Sequence, residues 1–175
     1  MPMPLYSSIL RALGHQSWFT GLGRRLVPVD RWLLRHTRGR WSIAGRRGLP
    51  SLLLTTTGRK TGQPHTQALL YTADGDGYVV VGSNWGQQHH PAWSGNLIAN
   101  PDATVQIEDR EFPVRAVLTT GAERERLWRL VTEVWPAFRT YKERAAGREL
   151  RIFRLEPRES RKRANDGPAG AANHG

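Results

Sequence analysis

The chain contains no cysteine. That excludes disulfides, iron–sulfur clusters, cysteine-type zinc sites and thiol catalysis, while leaving the compartment open. It also has no long apolar run. The longest reach about five residues, far short of the ~20 a membrane-crossing helix requires. The N-terminus lacks the apolar stretch of a secretory signal, so the expectation is a cytoplasmic protein. Acidic residues are scarce at the start: residues 1–48 hold nine arginines and a single acid, Asp30. No Ser-His-Asp signature or paired catalytic carboxylates stand out, which argues against a hydrolase. His89 and His90 are neighbours in sequence and point apart. No further His, Asp or Glu set has ligand spacing, so no metal site is expected.

What is present divides unevenly. At 175 residues and 38% hydrophobic content, one domain with a lean core is the natural reading. The net charge of +11 belongs mainly to residues 1–48, read as a basic helical arm. There Trp18, Phe19, Leu22, Trp32 and Leu33 stand beside Arg31, Arg35, Arg38 and Arg40. Such a segment suits contact with an anionic membrane surface, or packing on the core with a solvated arginine face. Residues 158–175 are polar and glycine-rich and read as a disordered tail. Residues 49–157, almost neutral, form the globular domain.

Within that domain Leu52–Thr57, residues 65–73, Tyr78–Gly82, residues 103–107, residues 112–118 and Leu150–Leu155 read as six strands. The Tyr78–Gly82 run is continuously apolar, the mark of a strand covered on both faces. Asp74-Gly75-Asp76-Gly77 and Asp109-Arg110 read as hairpin turns. Pro91–Asn100 predicts a short helix. Thr120-Gly121-Ala122-Glu123 matches a capping box ahead of a helix with Leu127, Leu130, Val131 and Val134 on one face, and with Glu125–Arg129 and Arg129–Glu133 pairs. Pro136 opens another helix reaching about Ala146. Short antiparallel strands without β-α-β alternation point to a small barrel, α+β and mainly β, with peripheral helices.

Three groups could carry chemistry. Gly58-Arg59-Lys60-Thr61-Gly62 offers backbone N–H groups, two cations and a hydroxyl, the needs of a phosphate cradle. It also reads as an ordinary exposed hairpin turn. Gly82-Ser83-Asn84-Trp85-Gly86, followed by His90-Pro91-Ala92-Trp93 and Asn96, places small polar residues after a buried strand, where a flat ligand could approach backbone. The plainer reading is a loop closing the barrel end, with Trp93 as a plug. Trp135, Phe138 and Tyr141 recur in threes on a helix. They could wall a pocket for a planar substrate, with the Tyr141 hydroxyl as donor, or simply pack in the core.

Taken together, Leu52–Pro64, Gly82–Gly86, His90–Trp93, Asn96, Leu97 and Ala99-Asn100-Pro101 resemble the deazaflavin-dependent nitroreductase family. Its members are coenzyme F420-dependent quinone or nitro reductases of actinobacteria. The resemblance runs from about Leu49 to Pro157 and implies a split β-barrel like that of flavin-binding oxidoreductases. It implies that Arg59, Lys60, Thr61 and Gly62, with Pro64 and His65 beside them, bind the coenzyme's phosphate-bearing tail. Ser83, Asn84, Pro91, Ala92, Trp93 and Asn96 then match positions beside the deazaflavin ring. Trp135, Phe138 and Tyr141 fall where members place aromatic residues over the substrate. Ser83 and Tyr141 become the candidate catalytic donors. His65 stands where a related member has Arg, and Ser94-Gly95 replaces a bulkier pair.

The resemblance further implies a quinone or nitro compound as acceptor. The expectation is a cytoplasmic monomer or homodimer, with residues 1–48 suited to peripheral contact at the inner face of the plasma membrane. FMN on the same barrel and a coenzyme carrier without turnover are the alternatives. A nucleic-acid-binding module is a weaker one, since the arm lacks a recognisable nucleic-acid-binding motif.

Overall fold

The computed structural model describes residues 50–158. The basic arm, and the polar tail beyond Arg158, lie outside the described residues.

The barrel is assembled from hairpins. Strand β1 (Ser51–Thr57) turns into β2 (Pro64–Asp74), which turns into β3 (Gly77–Gly82). Helix α1 (Ala92–Ala99) follows a single 3₁₀ turn, Asn84–Gly86. Strands β4 (Asp102–Ile107) and β5 (Arg110–Leu118) form the next hairpin. Helices α2 (Gly121–Val134) and α3 (Ala137–Arg144) precede the last strand, β6 (Arg151–Pro157). All pairings are antiparallel, and the order β1-β2-β3-β6-β5-β4 closes on itself because β1 also pairs β4. Closure gives every strand two neighbours, although not along its whole length. β2 changes partner along its length: residues 64–70 pair with β1, and residues 71–74 with β3.

Two apolar clusters hold this together. The first collects Leu52, Leu54, Val80, Val105, Val114, Ala116, Phe153 and Leu155, with Leu69 and Tyr71 against them. All six strands contribute, so this is the barrel interior. Trp93 and Leu97, one helical turn apart on α1, join it. The second cluster lies outside the barrel wall, where Val79, Val81 and Ile152 meet Leu127, Val131, Trp135, Phe138 and Tyr141 of the helical segment. β3 therefore feeds one cluster with Val80 and the other with Val79 and Val81. Its unbroken apolar run reflects cover on both faces.

Four details differ from the sequence reading. The β4–β5 turn is Glu108-Asp109, one residue earlier, with Glu108 at φ 53°. The period-two spacing of Phe112, Val114, Ala116 and Leu118 predicts one inward face, yet Leu118 is 42% exposed: β4 pairing ends at Arg115, so the last residues of β5 have no β4 neighbour. Thr120 is the N-cap of α2 but makes no side-chain cap bond. Glu123 turns instead to Arg126, at 2.7–2.8 Å. Arg126 in turn grips Asp74 on the β2–β3 turn at 2.8 and 2.9 Å. The ion pair internal to α2 is thus Glu123–Arg126, not the two i,i+4 pairs built on Arg129.

Candidate functional site

The turn after β1 is closed by its own backbone. The Gly58 N–H donates to Gln63 O (2.8 Å) and the Gly62 N–H to Gly58 O (2.7 Å). A single amide then fastens the turn to α1. Asn96, only 5% exposed, accepts from the Arg59 backbone N–H at Oδ1 (3.1 Å) and donates through Nδ2 to Thr56 Oγ1 (3.1 Å). The Arg59 guanidinium lies over Gly95, where a Cβ would overlap it. Glycine at 95 is what allows that approach. Arg59, Lys60, Thr61, Gly62, Pro64 and His65 are all exposed. The His65 ring covers Gly58, with Nε2 3.4 Å from Thr61 Oγ1. Among the described residues, the backbone N–H groups of Lys60 and Thr61 have no acceptor, and neither Arg59 nor Lys60 has a carboxylate partner.

The loop after β3 is strained. Asn84, Trp85 and Gly86 have φ of 46°, 56° and 79°. Asparagine tolerates the left-handed region through its short polar side chain, but tryptophan there costs about 1–2 kcal/mol. Gly86 sits against α3, where a Cβ would be 3.0 Å from Tyr141 O. Asn84 Nδ2 donates to His89 O (3.0 Å). Ser83 is half-buried, and its hydroxyl has no partner among the described residues. Pro91 caps α1 and its carbonyl accepts from Ser94 Oγ (2.9 Å). Ala92 is exposed, whereas Trp93 is 7% exposed and packs on Phe153 inside the barrel.

Trp135, Phe138 and Tyr141 come together as the spacing predicts, in the packed cluster outside the barrel wall. Tyr141 is 2% exposed, and its ring meets Phe138 at 6.2 Å and Trp85 at 6.0 Å. Burial pushes its hydroxyl up to about 12, against a hydrogen bond from Trp135 and the charge of Arg144. It stays protonated at neutral pH and is a weak acid.

Two residues escaped sequence reading. Arg148 donates to Ser83 O (2.8 Å), Gln87 O (2.9 Å) and Gly82 O (3.1 Å), and to His90 Nδ1 (3.2 Å). Arg151 donates to Ser94 Oγ (3.2 Å). Neither has a carboxylate partner among the described residues. Burial, then Arg151 and Arg148, hold His90 below the usual histidine value, so it is neutral at pH 7. Neither arginine carries a motif; each becomes visible only when the start of β6 is set beside the β3–α1 loop.

The first two candidate groups therefore meet on α1, and the third touches the second through Trp85 and Gly86. The profile of the F420H(2)-dependent quinone reductase family matches residues 29–157 of this sequence. The chain belongs to that family, and by that membership it is an F420-dependent reductase.

Among its relatives is the F420H(2)-dependent quinone reductase Rv1261c of Mycobacterium tuberculosis, 39% identical over 124 residues, 61% of this chain and 83% of that protein. A solved F420-H2 dependent reductase, FDR-A, superimposes with a TM-score of 0.57 at 34% identity, covering 61% of this chain and 94% of the other. A structure described as a domain-swapped dimer gives 0.58 at 31% identity, covering 74% and 99%. The barrel expected from the resemblance is the barrel found. FMN, the alternative coenzyme, gains no support from the family.

The residues present fit an acidic coenzyme. Among the described residues Arg59, Lys60, Arg148 and Arg151 have no carboxylate partner, and the Lys60 and Thr61 N–H groups of the first pair's turn have no acceptor. Such a set attracts and orients anions. Among the described residues no group of three or more His, Asp or Glu is placed to hold a metal, and no helix is long and apolar enough to cross a membrane.

Proposed function

We propose that this chain holds the acidic tail of reduced coenzyme F420 on the Arg59–Lys60 turn and reduces a quinone, or another electron-poor planar acceptor such as a nitroaromatic. The observation that carries the reading is the fastening of that turn to α1 by Asn96. It ties the tail-binding residues rigidly to the helix whose first turn matches the ring-binding positions. When bound, the coenzyme supplies a hydride from a ring carbon.

The work of the chain itself is positioning and charge. Arg59 and Lys60 neutralise the tail, with the Thr61 hydroxyl, Gly62, Pro64 and His65 completing the turn. Ser83, Asn84, Pro91, Ala92, Trp93 and Asn96 set the plane in which a flat ring can lie. The Ser83 hydroxyl, without a partner among the described residues, and the protonated Tyr141 hydroxyl are the donors for an oxygen gaining negative charge. Trp135 and Phe138 exclude water beside them.

Quinones partition into bilayers. The basic, aromatic residues 1–48 fit peripheral contact with an anionic membrane, and co-sedimentation of the intact protein with anionic vesicles tests that part. The central experiment is a fluorescence titration of the full chain with F420 and, separately, with FMN. F420 binding followed by turnover with a quinone supports the proposal. Binding of FMN alone overturns it, and F420 binding without turnover on any quinone or nitro acceptor leaves a carrier.

A further inference from the structure

We infer that Arg148 is the positioning residue for the Gly82–His90 loop, and so for the Ser83 and Asn84 contacts of the coenzyme ring. The inference rests on the proposed function for its catalytic consequence, but its structural part stands alone.

The loop needs an external restraint. It leaves β3 at Gly82 and passes three consecutive residues with positive φ, two of them not glycine. Its own bonds are few: the Gly86 N–H to Ser83 O and the Gln87 N–H to Asn84 O close the 3₁₀ turn, and Asn84 Nδ2 reaches His89 O and, at 3.5 Å, Gln87 Oε1. Strain of this kind persists only where surrounding structure over-determines it. Arg148 supplies that structure. Its planar guanidinium donates to three backbone carbonyls spread along the loop, Gly82, Ser83 and Gln87, and to the ring of His90 at its far end. One side chain thereby spans the whole segment.

Three further features suit the role. Arg148 follows a reversal in which Ala146 and Gly147 have φ of 50° and 84°, which returns the chain from α3 toward the loop. It makes no ion pair among the described residues, so its donors are committed to the loop. An arginine can only donate. His90 Nδ1 must therefore accept, which places the His90 hydrogen on Nε2. Arg148 thus fixes a tautomer as well as a backbone path. Lysine could not replace it, because a single ammonium group cannot serve four acceptors laid around a plane.

The test compares Arg148→Ala and Arg148→Lys with wild type in the full chain. Without coenzyme, hydrogen exchange of residues 82–90 is expected to rise about tenfold or more in Arg148→Ala, the scale of losing a charge-assisted hydrogen bond. The β4–β5 hairpin should keep its protection. Lysine should recover little of it, and ethylguanidinium added to the alanine variant should recover part. Nitrogen NMR should show His90 as the Nε2–H form in wild type, and a mixture of forms in both variants.

With coenzyme, F420 affinity should fall by about tenfold with the quinone KM nearly unchanged. Unaltered loop exchange and an unaltered His90 signature would overturn the inference, as would loss of protection spread evenly over the barrel. If alanine prevents folding, the lysine variant carries the same readouts. Failure of wild type to bind F420 would sink the proposed function and leave the exchange result to decide the role of Arg148.

Discussion

The guanidinium of Arg59 rests on the backbone of Gly95, so close that a Cβ at position 95 would overlap it. Residue 95 lies inside α1, where alanine is intrinsically favoured over glycine by ~1 kcal/mol. The two effects oppose each other. Arg59 is exposed and can swing aside, so Gly95→Ala should leave the melting temperature unchanged or slightly raised. The same swing removes a cation from its place beside the turn. F420 affinity should therefore fall, by roughly tenfold for one charged contact. Calorimetry and coenzyme titration on the one variant check both signs. A lowered melting temperature with unchanged affinity would show that Arg59 is not what the glycine accommodates.

Asn96 uses both ends of its amide, accepting from Arg59 N–H and donating to Thr56 Oγ1. Asn96→Asp keeps the acceptor and loses the donor. It also places a negative charge, nearly buried, beside the cationic turn. We expect ~1–3 kcal/mol of lost stability at neutral pH from the unmet Thr56 contact and the desolvated charge. Coenzyme binding should weaken more than in Asn96→Ala, because repulsion of the acidic tail is added. Urea unfolding and F420 titration of the pair separate the contributions.

Much of this molecule was legible in its residues, and the exceptions have physical causes. Period-two alternation in β4 and β5 and the continuous run in β3 gave strands because burial on one or both faces writes itself into sequence. Leu118 misled because alternation persists one step beyond the partner strand that would have covered it. The capping box at Thr120 failed because Glu123 had a stronger option in Arg126, itself committed to Asp74 fifty-two residues away in sequence. The turn at Arg59 and the helix at Pro91 were readable as separate groups. Their union through Asn96 was visible only in three dimensions, as was the grip of Arg148 on the β3–α1 loop.

Among the described residues Lys60 forms no ion pair, and its backbone N–H has no acceptor. Lys60→Ala should therefore cost little stability and weaken F420 binding by ~1–3 kcal/mol, the range for a charged hydrogen bond. The loss should shrink as ionic strength rises, because an exposed charge is screened. An unchanged dissociation constant at low salt would count against the tail assignment.

Acid stability should depend on Asp74. Arg126, and then Arg154, hold its carboxyl below the usual aspartate value through hydrogen bonds and charge. A depressed carboxyl contributes stability above its unfolded value, about 3.9, and loses it as pH falls through the folded one. The urea midpoint of wild type should therefore drop below about pH 4. Asp74→Asn should be less stable at pH 7, with the gap closing in acid. A gap that stays constant from pH 7 to pH 3 would mean the ion pairs around Asp74 contribute nothing.

The Tyr141 hydroxyl is buried and raised to about 12. Its neutral form is favoured, so activity that depends on its hydrogen should persist well above pH 10, where a solvated tyrosine ionises. The ring is packed between Phe138 and Trp85, so Tyr141→Phe keeps the shape and removes only the oxygen. Turnover should fall more than coenzyme affinity, by about tenfold or more if the hydroxyl stabilises developing charge on the acceptor. A wild-type rate that declines with a midpoint near 10, and a phenylalanine variant without that decline, would show a solvent-accessible tyrosine instead. Equal turnover in the two proteins across pH would move the donor role to Ser83, whose hydroxyl has no partner among the described residues; Ser83→Ala should then carry the loss.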